Sequence, residues 1–167
     1  EYIEDMINIG VNSFKIEGRM RSIYYIATVL YEYRRLIDKV VNKKVTSAYT
    51  KYSLNILNRC ANRDSTSQFF TSLPTNKEQY FLGRDEISNK DFLGIVKSYN
   101  EDTEIVTLEQ RNYFKPGDVV EFFGPHKDPI TYTIPQYLFD ADDNKIEVAN
   151  HPLMLVKFKT SIKLEEF

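Results

Sequence analysis

Apolar residues recur every three or four positions in the first third of the chain and at every second position in its last half. That change of period limits the fold more than any other feature, because it asks for helices followed by strands. From Ser22 to Asn42, Ile23, Ile26, Leu30, Tyr33, Ile37 and Val40 form a stripe, with Glu32, Arg35, Asp38 and Lys39 largely off it. This predicts an amphipathic helix about 30 Å long, enough to flank a sheet or barrel. Ahead of it, Ile3, Met6 and Ile7 share a helical face that closes at Gly10, the usual residue just past a helix end. Phe14 and Ile16 then alternate with Ser13, Lys15 and Glu17 up to Gly18, which predicts a strand. A shorter helix is expected over Tyr52–Ala61, with Leu54, Leu57 and Ala61 inward.

After Phe92 six runs are rich in β-branched and aromatic residues: 92–99, 104–109, 118–123, 130–134, 145–148 and 153–158. Turn signals separate them at 100–103, 115–117, 124–125, 142–144 and 150–152. Six short strands this close predict a small antiparallel β-barrel, since closure removes exposed edges. Between Asn62 and Asp91 periodicity gives way to polar residues, yet Phe69, Phe70, Tyr80 and Phe81 lie among them. Such aromatics suit a connector pinned to a neighbouring surface better than a free tether. The fold class expected is α+β, with residues 1–62, 63–91 and 92–167 as helical region, connector and barrel.

Composition narrows the function. With 22 Lys and Arg against 24 Asp and Glu in 167 residues, the formal net charge is −2, which excludes a wholesale basic coat and leaves only local patches for nucleic acid. The single Cys60 excludes an internal disulfide and a thiolate cluster, and points to the cytoplasm. No run approaches a membrane span. The chain begins at Glu1 in helix-like sequence, so a piece of a longer protein is expected.

Three stretches, in order, carry a resemblance: Gly10-Val-Asn-Ser-Phe-Lys-Ile-Glu-Gly-Arg-Met-Arg21 leading into a Tyr-rich helix; Asn62-Arg63 followed by Ser/Thr and Phe-Phe; and Arg111-Asn-Tyr-Phe-Lys-Pro-Gly-Asp-Val-Val-Glu-Phe-Phe-Gly-Pro125. Together they resemble the C-terminal end of the collagenase-like peptidase family U32. The resemblance implies the last βα unit of a truncated TIM-barrel-like catalytic domain with its connecting helices, followed by an accessory barrel for substrate docking or domain packing. It implies a parent enzyme whose bacterial relatives are implicated in hydroxylating the wobble uridine of tRNA. Cysteines upstream would hold that parent's iron–sulfur cluster, with no cofactor in this region. A true peptidase recognising protein, or a purely structural cap, are the other roles it leaves open. Ser65 and Gln68 stand where relatives tend to have an aromatic residue and a glycine, so this loop is expected to take another path.

Two clusters are candidate sites. Lys15, Glu17, Arg19 and Arg21 crowd a strand-to-helix junction, where α/β enzymes build active sites and an anion would offset cations beside a helix start; they are the catalytic candidates. The bland reading is an ordinary Lys15–Glu17 pair with solvated arginines. Arg34, Arg35, Lys39, Lys43 and Lys44, with Lys51, form the densest basic tract, interleaved with Tyr31, Tyr33, Tyr49 and Tyr52. Such a mixture holds phosphates and stacks bases, making tRNA a candidate partner; alternatively, the cations favour the helix dipole and the tyrosines are core with a wet end. His126 and His151 read as loop residues. Glu101, Asp102 and Glu104, and Asp140, Asp142 and Asp143, read as turn formers rather than metal ligands. The remaining partners expected are the missing catalytic domain and, through the truncated strand, a second copy.

Overall fold

A computed structural model describes residues 2–60, 66–76, 91–125 and 127–166. The chain forms two compact units, Glu1–Asn89 and Lys90–Phe167.

In the first unit, α1 (Ile3–Asn8) is joined to α2 (Ile23–Val41) through the extended stretch 11–18, and α2 to α3 (Ser47–Cys60) by a short turn. Helix α1 ends as its sequence asks: Gly10 takes φ 93°, its N–H donates to Ile7 O, and that of Val11 reaches back to Met6 O. This pair of hydrogen bonds is the Schellman closure. Helix α2 starts where the Ser22 hydroxyl accepts the Tyr25 N–H at 3.1 Å. It closes with the same motif as α1, the Lys43 and Lys44 N–H groups donating to Val40 O and Lys39 O. Here the left-handed residue is Lys43, at φ 54°, where glycine is usual.

The second half of the expected stripe, Tyr33, Ile37 and Val40, joins the core, but in the first half of α2 a different face is buried. Thr28, Val29, Glu32, Leu36 and Val40 are buried, whereas Ile23, Ile26 and Leu30 are 63%, 37% and 51% exposed. The first half of α2 is apolar on two sides, so period alone does not choose between them. The choice falls to α1 and α3, whose core with Leu36 and Val40 also takes in Ile3, Phe14, Tyr33 and Tyr49.

The expected strand over Val11–Gly18 is not one. Phe14 and Ile16 are half-buried and Lys15 and Glu17 exposed, so the alternation is real, but this stretch joins no ladder among the described residues. A strand needs a neighbour for its backbone, and alternation cannot supply one. Helix α3 starts five residues before the expected Tyr52, at a Thr46 cap whose hydroxyl accepts the Tyr49 N–H; Ala61 lies outside the described residues.

Gln68 opens a 3₁₀ turn at Gln68–Phe70 with φ 44°. Gln68 itself thus takes the left-handed conformation that a glycine adopts freely, at a cost of roughly 1–2 kcal/mol. That exceeds the roughly 0.5–1 kcal/mol entropy cost of a glycine. Gln68→Gly is expected to raise stability by about 0.5–1 kcal/mol, read as a higher denaturation midpoint at unchanged slope. Ser65, Arg63, Tyr80 and Phe81 lie outside the described residues.

Among the described residues the second unit has seven strands: β1 (Gly94–Asn100), β2 (Ile105–Gln110), β3 (Val119–Phe122), β4 (Ile130–Thr133), β5 (Leu138–Phe139), β6 (Lys145–Ile146) and β7 (Leu155–Lys159). All six expected runs carry one; Leu138–Phe139 is the addition, too short to show a period. The ladders are an antiparallel five-stranded sheet, β1-β2-β7-β5-β6, and a β3-β4 hairpin, rather than one six-stranded barrel. Both lie on one core. Val106 and Leu108 of β2 face Phe158 and Val156 across the β2–β7 ladder. Phe114, Ile134 and Leu138 complete the interior, with Val120, Phe122 and Tyr132 of the hairpin packed against it. Gly94 is needed where β1 meets β2, because a Cβ there would sit 2.8 Å from the Glu109 carbonyl oxygen.

Candidate nucleic-acid interface

Lys15 and Glu17 pair at 3.9 Å with side chains 86% and 71% exposed, and the Glu17 carboxylate accepts the Arg19 N–H at 3.1 Å. The Arg21 guanidinium lies 5.1 Å from the centre of the Tyr25 ring. The structure thus sets these four residues along the extended stretch and the turn that precedes α2, with Lys15, Glu17 and Arg19 exposed and Arg21 half-buried.

The basic tract is built differently. Between Lys39 and Cys60 the chain carries Lys39, Lys43, Lys44, Lys51 and Arg59 and no Asp or Glu, and α2 and α3 fold this stretch into one hairpin. Arg34 is spoken for by Asp38 at 2.5 Å. Arg35 donates to the Tyr49 and Tyr31 hydroxyls at 3.2 and 2.9 Å, and the Lys39 ammonium sits 4.6 Å from the centre of the Tyr49 ring. Arg35 is therefore an anchor of the hairpin. Lys39, Lys43, Lys44 and Lys51 make no ion pair among the described residues, and Lys43, Lys44 and Lys51 are exposed.

The anchor continues inward. Ser53 donates to Glu32 Oε1 at 2.5 Å, and Glu32 is 1% exposed with its second oxygen unpartnered. Burial pushes the Tyr49 phenol above its usual range; the Arg35 hydrogen bond opposes this and Glu32 adds to it. The Arg35–Tyr49 and Glu32–Ser53 contacts fix how α2 and α3 lie together, and with it the spacing of the lysines. Reading Glu32 as off-stripe missed this buried carboxylate; its i, i+4 spacing from Thr28, also buried, was the available sign. The acid-free run was legible too, had charges been counted by segment rather than over the whole chain.

Elsewhere, burial raises the Cys60 thiol, which donates to Leu57 O. The Asp140 carboxylate accepts the Asp142 and Asn144 N–H groups and is held below its usual range chiefly by Asn144, as a turn former would be. His151 is exposed in a turn and His126 lies outside the described residues. Among the described residues there is no metal-ligand cluster and no helix long and apolar enough to cross a membrane.

Comparison with known proteins follows the same division of the chain. The sequence profile of peptidase family U32 matches residues 1–80 and that of the peptidase family U32 C-terminal domain residues 88–167. Over 98% of its length the chain is 46% identical to the tRNA hydroxylation protein P1 of Bacillus subtilis, and spans 39% of that protein. Over 89% of its length it is 28% identical to the tRNA hydroxylation protein P of Escherichia coli, spanning 32% of it. A crystal structure of the C-terminal domain of a Geobacillus thermoleovorans protein assigned to the U32 peptidases matches 46% of the chain and 85% of its own, with 44% identity and a TM-score of 0.44. The chain belongs to peptidase family U32, its two units matching the family's main profile and its C-terminal domain in turn.

Proposed function

We propose that this chain is the docking region of a U32 protein that acts on tRNA in the cytoplasm, with the α2–α3 hairpin contacting the phosphate backbone. One observation carries the reading: five cations and no acid lie in the 22 residues from Lys39 to Cys60, on a chain whose net charge is −2. A chain of that balance attracts phosphate only by concentrating its cations. The backbone of Lys43 adds to the case, since a strained cation at a helix end is costly where glycine would serve. The names of the relatives, tRNA hydroxylation proteins, select RNA among polyanions.

On this reading the first unit is the end of a larger TIM-barrel-like domain. The extended 11–18 stretch would be its last strand, and the exposed Ile23, Ile26 and Leu30 row would face the remainder of that domain. The second unit would be an accessory module whose two sheets approximate a barrel about one core.

Titrating tRNA at low and at physiological ionic strength tests it. Binding is expected near 10⁻⁴ to 10⁻⁶ M at physiological salt, about the non-specific range, and markedly tighter at low salt. Absence of binding at low salt would rule the docking role out.

A further inference from the structure

The solvent face of α3 has the chemistry of a groove-reading surface. Lys51, Asn55 and Asn58 stand at i, i+4 and i+7, flanked by Tyr52 and Arg59, with the small Ala48 one turn ahead of Lys51, and all six are exposed. At 100° per residue they cover about a third of the helix circumference, over roughly 17 Å of its length. Lys51, Asn55 and Asn58 make no hydrogen bond or ion pair among the described residues. Exposed asparagines are weak helix formers and contribute little to a helix that does not use them.

Resting on the docking role above, we infer that this face lies in the minor groove of an A-form RNA stem and reads its ribose 2′-hydroxyls through Asn55 and Asn58. A carboxamide both donates and accepts, as a 2′-hydroxyl does. The A-form minor groove is wide and shallow, so the short side chains of Asn55 and Asn58, in the middle and last turns of this face, can reach its hydroxyls. The minor groove of B-form DNA, about 6 Å wide, excludes a helix about 10–12 Å across. The lysines at the α2–α3 turn then supply salt-dependent attraction, while α3 supplies the distinction between RNA and DNA.

The experiment measures the 167-residue chain, at one fixed salt concentration, against an RNA hairpin stem and a DNA hairpin of the same sequence. Both are compared for the unaltered chain and for the double variant Asn55→Ala/Asn58→Ala. The unaltered chain should prefer RNA, and the variant should lose about tenfold on RNA with little change on DNA and an unchanged salt slope. Alanine favours an exposed helix, so circular dichroism should show the variant folded. Equal affinity for the two hairpins, or a variant that loses equally on both or on neither, would overturn the assignment of α3. If Lys43→Glu/Lys44→Glu then still weakens RNA binding, the docking role stands without it. If no RNA binds even at low salt, both fall.

Discussion

Reversing Lys39, Lys43 and Lys44 together to Glu should weaken tRNA binding roughly a hundredfold and flatten its salt dependence by about two to three units of log–log slope. None of the three pairs with a carboxylate among the described residues, so the fold loses only the Lys39–Tyr49 ring contact and the favourable placing of cations at the end of α2, and circular dichroism should show the variant still folded. Lys43 allows a sharper separation. It holds φ 54° at the closure of α2, and Lys43→Gly relieves that strain while removing one charge. Stability should rise by about 0.5–1 kcal/mol while affinity falls, effects of opposite sign from one substitution. Parallel tRNA titration and denaturant unfolding read both. Loss of binding together with loss of stability would mean that Lys43 serves the fold alone.

Phe158→Ala is expected to cost about 3–5 kcal/mol, the largest stability effect in the second unit. Phe158 is 1% exposed, faces Val106 across the β2–β7 ladder, and stacks on Tyr132 at 6.0 Å with the rings 14° apart. Tyr132 in turn meets Phe122 at 5.8 Å, so one ring joins the five-stranded sheet to the β3-β4 hairpin. A unit of this size holds roughly 4–12 kcal/mol in all. The melting temperature of its transition should therefore fall by at least about 12 °C. A shift of only a few degrees would mean that the two sheets do not share their core through this ring.

What the sequence disclosed was local. Gly10 announced the end of α1, Ser22 stood at the start of α2, and the β-branched runs after Phe92 each carry a strand. What it withheld was pairing. Val11–Gly18 has the alternation of a strand, but a ladder is decided by a neighbour far away in sequence or outside it. The burial of Thr28, Val29 and Glu32 in place of Ile23, Ile26 and Leu30 has the same origin, since α2 offers two apolar sides and its partners choose. At the candidate interface the cations were legible one by one. Their sorting was not: Arg34 and Arg35 are engaged within the hairpin while Lys43 and Lys44 are left to solvent, and that depends on Asp38, Tyr31 and Tyr49 being within reach.

The position of β7 has a consequence for how the protein is made. It is the last of the seven strands to be synthesised, yet it lies in the middle of the five-stranded sheet, between β2 and β5. Until Leu155–Lys159 has left the ribosome, β1-β2 and β5-β6 are separate hairpins, and an isolated hairpin is at best marginally stable in water. The second unit is therefore expected to complete its sheet only after β7 emerges, whereas the local contacts of α1, α2 and α3 can form while translation continues. A nascent chain arrested before Leu155 would have a helical hairpin ready to meet polyanions and a second unit open to proteases.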